Sequence, residues 1–273
     1  FSMDDMADAT ALTTVTLSAN GSDNGDITIG NIGTDNNADA AGALKTVTMT
    51  AADGADITVD LIDGDTAATD ASVTTVSLTA STTGSVITVK AIDAGTGSIG
   101  TVSLSAVSGA TIDLNDVGIT AASVTEINLS GAGTFQLDGT NAITTLSTLN
   151  ASGTTTGSTT NIDLSDVTNA VTVTLGAGTN SLISGDGNDN ITLNSGADTI
   201  KFDALTQGSD TISGFVSADD AVAFDISVFS TGTGGQAVAG AGTVKVAGNA
   251  GTPVAFTFAT SDIGYILKAA NTG

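Results

Sequence analysis

The sequence of 273 residues contains no cysteine, histidine, tryptophan or arginine, and it has a single tyrosine and a single proline. Without histidine or cysteine there is no imidazole base, no thiolate nucleophile and no side-chain zinc site. Because cysteine is absent, neither disulfides nor a thiol redox site can stabilise the chain. These absences indicate that the protein is not an enzyme.

Positive charge is also scarce. The formal charge is −24, from 29 acidic residues, of which all but Glu126 are aspartate, set against five lysines. Such a surface repels phosphates and has no basic stripe, which excludes nucleic acid as a partner. The partners to expect are cations.

Long apolar runs are absent as well. No stretch reaches the roughly 18 apolar residues of a membrane-spanning helix, so we expect no membrane insertion. Residues 1–12 carry aspartates where a secretory signal would carry lysine or arginine before an apolar run. Since the chain begins at Phe1, it resembles a mature or excised portion of something longer.

Apolar residues make up 40 % of the chain, but aromatic residues only 3 %. The core must therefore consist of closely stacked valine, isoleucine, leucine and alanine. Glycine and threonine are abundant, and threonine and valine favour strands over helices. The composition predicts an all-β protein.

An apolar pattern U-x-x-U-x-U, in which U is apolar, recurs six times in residues 1–174, and a second apolar alternation follows each copy. The middle position advances by 32, 29, 26, 25 and 22 residues. The copies are Leu12/Val15/Leu17, Leu44/Val47/Met49, Val73/Val76/Leu78, Ile99/Val102/Leu104, Val124/Ile127/Leu129 and Leu146/Leu149/Ala151. The second alternations are Ile27/Ile29, Ile57/Val59, Ile87/Val89, Ile112/Leu114, Phe135/Leu137 and Ile162/Leu164.

Each repeat thus predicts two short strands and two turns. Such a unit cannot bury its apolar face alone, but units stacked about 4.8 Å apart form a continuous core. We therefore predict a right-handed parallel β-solenoid. A β-sandwich or a leucine-rich repeat fits less well, because neither explains two arms that recur in fixed order without a helical segment.

Alignment of the second arms brings several charged residues together. We expect most of these pairs to form a solvated acidic face, with Ca²⁺ between one or two of them as the less favoured interpretation. The pairs are Asp26 with Asp56, Asp23 with Asp53, Asp60 with Lys90, and Asp63 with Asp93.

In residues 175–201 the period shortens to nine, in the frames LGAGTNSLI, SGDGNDNIT and LNSGADTIK. These frames resemble the GGxGxDxUx nonapeptides of repeats-in-toxin (RTX) proteins, which form a calcium-binding parallel β-roll. The resemblance implies Ca²⁺ as cofactor and a set of oxygen ligands. The predicted metal-site residues are Gly176, Gly178, Asn180, Gly185, Asp186, Gly187, Asp189, Asn194, Gly196, Asp198 and Asp210.

The residue types of this segment also indicate a cation site without reference to the family. Glycine permits turns with φ > 0, and aspartate supplies charge, which suits a hard cation such as Ca²⁺. Because nine residues make half a coil, Asn180 should pair with Asp198. After a three-residue insertion, Asp189 should pair with Asp210. The competing interpretation is a glycine-rich turn region with incidental aspartates.

Aromatic residues concentrate after residue 201, which implies a bulkier core in residues 202–273. Alternation in residues 221–224, 243–246 and 254–258 predicts a small antiparallel β cap over the open end of the solenoid. We expect Asp219 and Asp220 to be turn residues. Residues 210–225 also resemble the segment that follows the nonapeptides in RTX proteins with an uncleaved C-terminal signal for type I secretion.

The combination resembles the calcium-dependent S-layer proteins of Gram-negative bacteria. That resemblance implies a secreted structural protein of the bacterial cell surface, which self-assembles into a lattice or filament. The alternative is a secreted calcium-binding adhesin or carbohydrate-binding module that contacts cell-surface polysaccharide. Glycoside hydrolysis through paired aspartates is disfavoured, because few groups could hold a sugar or stabilise developing charge.

Overall fold

The computed structural model describes residues 1–6, 13–21, 25–32, 44–63, 73–93, 99–114, 118–119, 124–137, 143, 145–204, 207–216, 218–224, 243–248 and 253–257. In these residues all regular structure is β-strand, as the composition predicts. Consistent with this, the described chain offers no long apolar helix that could cross a membrane.

The strands form two sheets, and successive strands along the chain alternate between them, apart from the ninth and tenth strands and the last two. The first sheet contains, in spatial order, β1 (Ser2–Met6), β3 (Ile27–Ile32), β5 (Asp56–Asp63), β7 (Val86–Asp93), β9 (Thr111–Asp113), β12 (Thr134–Leu137), β14 (Thr159–Asp163), β16 (Thr179–Ile183), β18 (Asp198–Phe202) and β20 (Ala221–Phe224), with β10 (Gly118–Ile119) beside β7. The second sheet contains β2 (Thr14–Asn20), β4 (Thr46–Ala52), β6 (Thr75–Ala80), β8 (Ile99–Ala106), β11 (Val124–Gly131), β13 (Thr148–Thr154), β15 (Thr172–Thr174), β17 (Asn190–Thr192), β19 (Thr211–Phe215), β21 (Thr243–Gly248) and β22 (Pro253–Thr257).

Strand pairing is parallel through both sheets, as a β-solenoid requires. The exception in the described chain is the antiparallel pair β21 and β22. The predicted antiparallel cap is therefore smaller than expected, since β20 is parallel to β18 and β21 is parallel to β19. By their backbone pairing, residues 221–224 and 243–246 thus extend the two parallel sheets by one strand each.

The register of the second sheet confirms the repeat. Val15 lies opposite Val47, Val47 opposite Val76, and Val76 opposite Val102. The column continues through the middle residues of the last two copies, at 127 and 149. Each unequal step of the sequence period is thus one coil of the solenoid.

The first sheet contains the second arms, and its inward column becomes polar at the last of them. Phe135 lies opposite Thr160, and Leu137 lies opposite Ile162. Thr160 is fully buried and donates a hydrogen bond to Asn180 Oδ1 at 2.6 Å. A search for apolar alternation fails here because the inward residue is polar.

The charged pairs of the second arms are placed largely as predicted. Lys90 Nζ lies 2.6 Å from Asp60 Oδ1, and the backbone of Asp63 lies opposite that of Asp93. The carboxyl group of Asp26 has a hydrogen-bond donor in the next coil, since its Oδ1 accepts the amide hydrogen of Asp56 at 3.0 Å. Asp23, the predicted partner of Asp53, lies outside the described residues.

The interior is filled by small aliphatic side chains, and Phe135 is the largest fully buried side chain. Its ring lies in the same inward column as Ile112, one coil earlier. Threonines between the inward residues point away from the core, as Thr46 and Thr75 do on the second sheet. This alternation of buried and outward residues fixes each strand on the core.

Replacing Phe135 by alanine should destabilise the protein by about 3–5 kcal/mol, because the fully buried ring leaves a cavity between stacked coils. Chemical denaturation measures the free energy of unfolding. Val107→Ala is the control, since Val107 is 40 % exposed and should change stability by about 0.5 kcal/mol or less. Equal effects of the two substitutions would contradict this packing.

Candidate metal centre

An inward column of the first sheet changes from apolar to polar along the solenoid. After Phe135 its members are Thr160, Asn180, Asp198 and Asp220, each opposite the next in adjacent strands or at their margins. We call these four residues the first-sheet column. All four are buried, with Asp220 the most exposed at 9 %. Polar atoms thus occupy the interior where earlier coils have hydrocarbon.

Hydrogen bonds connect the start of this column. The side-chain amide Nδ2 of Asn180 donates to Asp198 Oδ1 at 2.7 Å. It also donates to the carbonyl oxygens of Gly176 at 3.2 Å and Gly178 at 3.4 Å. The predicted pairing of Asn180 with Asp198 is confirmed, and the side-chain amide of Asn180 donates to these oxygens.

The end of the column pairs two carboxyl groups. The amide of Asp198 donates to Asp220 Oδ1 at 3.0 Å, and the amide of Val216 donates to Asp220 Oδ2 at 2.7 Å. Asp220, expected to be only a turn residue, is therefore part of the site. Asp198 Oδ2 is buried and has no hydrogen-bond partner.

A second column lies on the other sheet and consists of Val171, Asp189 and Asp210, which we call the second-sheet column. The amide of Val171 donates to Asp189 Oδ1, and the amide of Asp189 donates to Asp210 Oδ1, both at 2.8 Å. Ser184 Oγ lies 2.6 Å from Asp189 Oδ2 and 3.3 Å from Asp210 Oδ2. The predicted pairing of Asp189 with Asp210 is confirmed.

Burial sets the electrostatics of both columns. It raises the pKa of Asp210 to about 7 and that of Asp198 to about 6. The neighbouring charges of Asp189 and Asp220, respectively, raise these pKa values further, while hydrogen bonds from Asp189, Ser184 and Asn180 oppose the shifts. In the described chain the lysine ion pairs are formed with Asp60 and Asp203, which are not members of either column.

Most of the predicted site glycines allow a close approach of coils. A Cβ at any of four glycines would overlap oxygen atoms or backbone of the preceding coil, although their φ is not left-handed. These are Gly176, Gly178, Gly185 and Gly187. The prediction from φ > 0 is therefore wrong for these four positions and is confirmed for Gly196, whose φ is 139°. Stacking distance, and not turn type, requires the other glycines.

Two predicted ligands lie beside the columns and contact the preceding coil. The amide of Asp186 donates to the carbonyl oxygen of Val167 at 2.8 Å. Asn194 Nδ2 donates to the carbonyl oxygen of Leu175 at 2.7 Å. Both residues thus support the stacking of the turns.

Sequence reasoning missed Ser184, Gln207 and Asp220. Ser184 stands where the nonapeptide has its first glycine, so a search for hydroxyl ligands in the frames would have found it. Asp220 precedes Val222 as Asp198 precedes Ile200, which is a usable signal. Gln207 Nε2 donates to the carbonyl oxygen of Ser184 at 2.7 Å. No sequence signal marks this residue, because it follows an insertion.

The donor set of the columns fits Ca²⁺ in kind. It consists only of carboxyl, hydroxyl and carbonyl oxygens, which are the ligands of hard cations. Each column provides two carboxyl groups, and no group of three or more acidic residues suited to a metal occurs in the part of the chain that the structure describes. Carbonyl groups or water would therefore complete a coordination shell. Bound Ca²⁺ would supply the positive charge that the buried carboxyl groups lack.

No protein-family model, curated protein or solved structure matches this chain. The resemblance to RTX nonapeptides therefore stays an expectation from residues 175–201. The geometry of the two columns supports the proposals that follow.

The metal-free protein should lose stability as pH rises from about 4 to 7. In this window the folded state holds protons on Asp210 and Asp198 that the unfolded state, with an ordinary aspartate pKa of 3.8, has released. Thermal unfolding of the metal-free chain at several pH values measures this. Asp210→Asn should flatten the dependence and exposed Asp166→Asn should not; a stability that rises with pH in both variants contradicts the assignment.

Proposed function

We propose that the protein is a secreted structural protein of the bacterial cell surface, which assembles into an S-layer or extracellular filament and whose carboxy-terminal coils bind Ca²⁺. The observation that carries this proposal is the stacking of buried carboxyl groups, Asp189 on Asp210 and Asp198 on Asp220. RTX-like frames in the same segment support it.

Buried, stacked carboxyl groups are costly unless a proton or a cation neutralises them. An unpaired buried charge costs several kcal/mol, and the excess negative charge of the chain increases the repulsion. External calcium is millimolar, whereas cytosolic calcium is far lower, so a chain of this kind folds fully only after export. Coupling of folding to Ca²⁺ suits a protein that must cross a membrane unfolded.

The other coils of the solenoid have features that suit a structural protein. The first sheet runs from β1 to β20 by parallel pairing, and its interior columns consist of aliphatic side chains over most of that length. Its outward positions include many threonine and aspartate residues, as in Thr58 opposite Thr88. Polar acidic faces of this kind repel one another, and divalent cations can bridge them.

A calcium-binding adhesin or carbohydrate-binding module is the second candidate. The outward hydroxyl rows favour it, since Thr46, Thr75 and Thr101 lie opposite one another on the second sheet and could hydrogen-bond a polysaccharide. Negative-stain microscopy and a glycan array distinguish the two functions. Calcium-dependent sheets or fibres support the structural protein, whereas a monomer that binds glycans supports the adhesin.

Calcium should stabilise the fold through the second-sheet column. One ion at 100 times its dissociation constant contributes about 2.7 kcal/mol, which corresponds to several degrees in Tm. Asp189→Asn and Asp210→Asn should each reduce the Tm gain in millimolar Ca²⁺, while Asp166→Asn, in an exposed turn, should retain it. Magnesium should substitute poorly because of its strict octahedral geometry. A Tm that is the same in chelator and in Ca²⁺ contradicts the proposal.

Assembly should depend steeply on calcium. Sodium chloride at equal ionic strength screens charge but does not bridge two carboxylates, so it should not restore assembly. Light scattering in the two salts, with the same protein concentration, measures the difference. If sodium chloride alone drives assembly to the same extent, then general screening is sufficient and bridging by calcium is wrong.

A further inference from the structure

The sequence contains four N-x-S/T triplets, the acceptor motif of asparagine-linked glycosylation. They begin at Asn20, Asn128, Asn150 and Asn190. Ser22, the last residue of the first triplet, lies outside the described residues. The other three triplets lie in β11, β13 and β17 of the second sheet, with their asparagines on the outward side. In a chain rich in serine and threonine such triplets arise by composition, so only local geometry can distinguish between them.

The triplet that begins at Asn150 coincides with a β-bulge. Asn128 is paired with Asn150, whereas the next pair joins Ser130 to Gly153. Between these two pairs β13 therefore has one residue more than β11, which is the definition of a bulge. Ser152, inside the bulge, is exposed. The strand thus departs from regular pairing at the serine of the triplet.

The bulge brings Ser152 back onto Asn150. Ser152 Oγ donates to Asn150 Oδ1 at 2.7 Å, and the Ser152 amide donates to the same oxygen at 3.1 Å. In a regular strand that amide would point to a neighbouring strand. The buried hydroxyl of Thr154 donates to the carbonyl oxygen of Ala151 at 2.9 Å, which holds the bulge from the inside. Two donors of the triplet therefore converge on one carboxamide oxygen.

The triplets at Asn128 and Asn190 lack these two hydrogen bonds in the part of the chain that the structure describes. Asn128 Nδ2 donates to Glu126 Oε1 at 3.0 Å, so its nitrogen is already engaged. The hydroxyl of Thr192, the last residue of the triplet at Asn190, accepts a hydrogen bond from Ser213 Oγ at 3.2 Å. Both triplets follow regular strand pairing with the preceding coil.

Hydrogen bonds to Oδ1 favour reaction at Nδ2. Glycosylation removes a proton from Nδ2, and the negative charge that develops is shared with Oδ1 through the amide resonance. Donors on Oδ1 stabilise that charge, because hydrogen bonds to the charged form favour it. Within the described residues Asn150 Nδ2 has no hydrogen-bond partner, and it is not one of the buried unpaired atoms. A glycosyl donor can therefore reach it from solvent.

We propose that Asn150 is a site of asparagine-linked glycosylation. A separate glycosyltransferase transfers the sugar from a glycosyl donor with a diphosphate leaving group. The bond from C1 to the phosphate oxygen breaks, and its electron pair leaves with the diphosphate. A bond from C1 to Nδ2 forms, and one Nδ2 proton passes to a base of the transferase. This inference goes beyond the proposed function and does not depend on Ca²⁺ binding.

The stacking of coils limits the modification to one sugar chain in this part of the face. Asn128 lies opposite Asn150 on the adjacent strand, about 4.8 Å away. Sugars on both asparagines would overlap at this spacing. The other neighbour in the column is Thr174, whose small side chain leaves room beside Asn150.

Peptide mapping by mass spectrometry of the full chain from its natural source tests the site. Asn150 should carry a saccharide, and Asn128 and Asn190 should be unmodified. An unmodified Asn150 overturns the proposal. A saccharide at Asn128 or Asn190, at an occupancy equal to that at Asn150 or higher, overturns the selection by the bulge.

Transfer of glucose from UDP-glucose to the folded full chain, by a purified transferase that recognises N-x-S/T, measures the effect of the geometry. Asn150 should react at least about tenfold faster than Asn128 or Asn190, since one hydrogen bond to a developing charge is worth about that factor. Equal rates at the three asparagines contradict the role of the bulge.

Deletion of Gly153 is the matched variant for the same assay. It keeps the triplet but gives β13 the residue count of β11, so the rate at Asn150 should fall to that at Asn128. Circular dichroism checks that the variant is folded. Ser152→Thr keeps both the triplet and the hydroxyl and should retain the rate. If the folded deletion variant reacts as fast as the unsubstituted chain, the bulge does not select the site.

Discussion

In the part of the chain that the structure describes, parallel hydrogen bonding holds each coil to the coil before it, in a register that places inward residues on their counterparts. Because strands lie about 4.8 Å apart, the inward side chains of successive coils are in direct contact. Isoleucine therefore stacks on isoleucine, as Ile57 does on Ile87. The low aromatic content, the close-approach glycines and the outward threonines all follow from this one constraint.

The same constraint makes a polar interior residue consequential. Once Thr160 faces inward, its hydroxyl needs a partner in the next coil, and Asn180 provides it. Asn180 in turn needs an acceptor, which is Asp198. Side-chain donors thus run out at Asp198, whose Oδ2 is buried and has no hydrogen-bond partner. The last member, Asp220, accepts the backbone amide of Asp198.

This arrangement gives the proposed function a physical basis. The aliphatic coils stack without buried charge, whereas burial raises the pKa of Asp210 in the carboxy-terminal coils to about 7. Under the proposed function, a cation neutralises this buried carboxyl group. An exported chain would therefore complete its fold at the carboxy-terminal end when it meets calcium. Under the proposed function, the acidic outward faces give divalent cations a second use, which is to bridge one copy to another.

The sequence by itself determined the all-β class, the parallel stacking and the coil lengths, because buried aliphatic residues recur at a period that the register must obey. It also determined the pairings of Asp189 with Asp210 and Asn180 with Asp198, since nonapeptide spacing counts half-coils directly. Only the tertiary structure decided that Thr160 faces inward and that Asp220 joins the column. Thr160 does not stand at a position that apolar periodicity marks, whereas Asp220 precedes Val222 with the spacing that Asp198 has to Ile200. Hydrogen bonds to the neighbouring coil hold both residues in the column. These bonds exist only once the coils are stacked, because the donors and acceptors that meet there are about twenty residues apart in sequence.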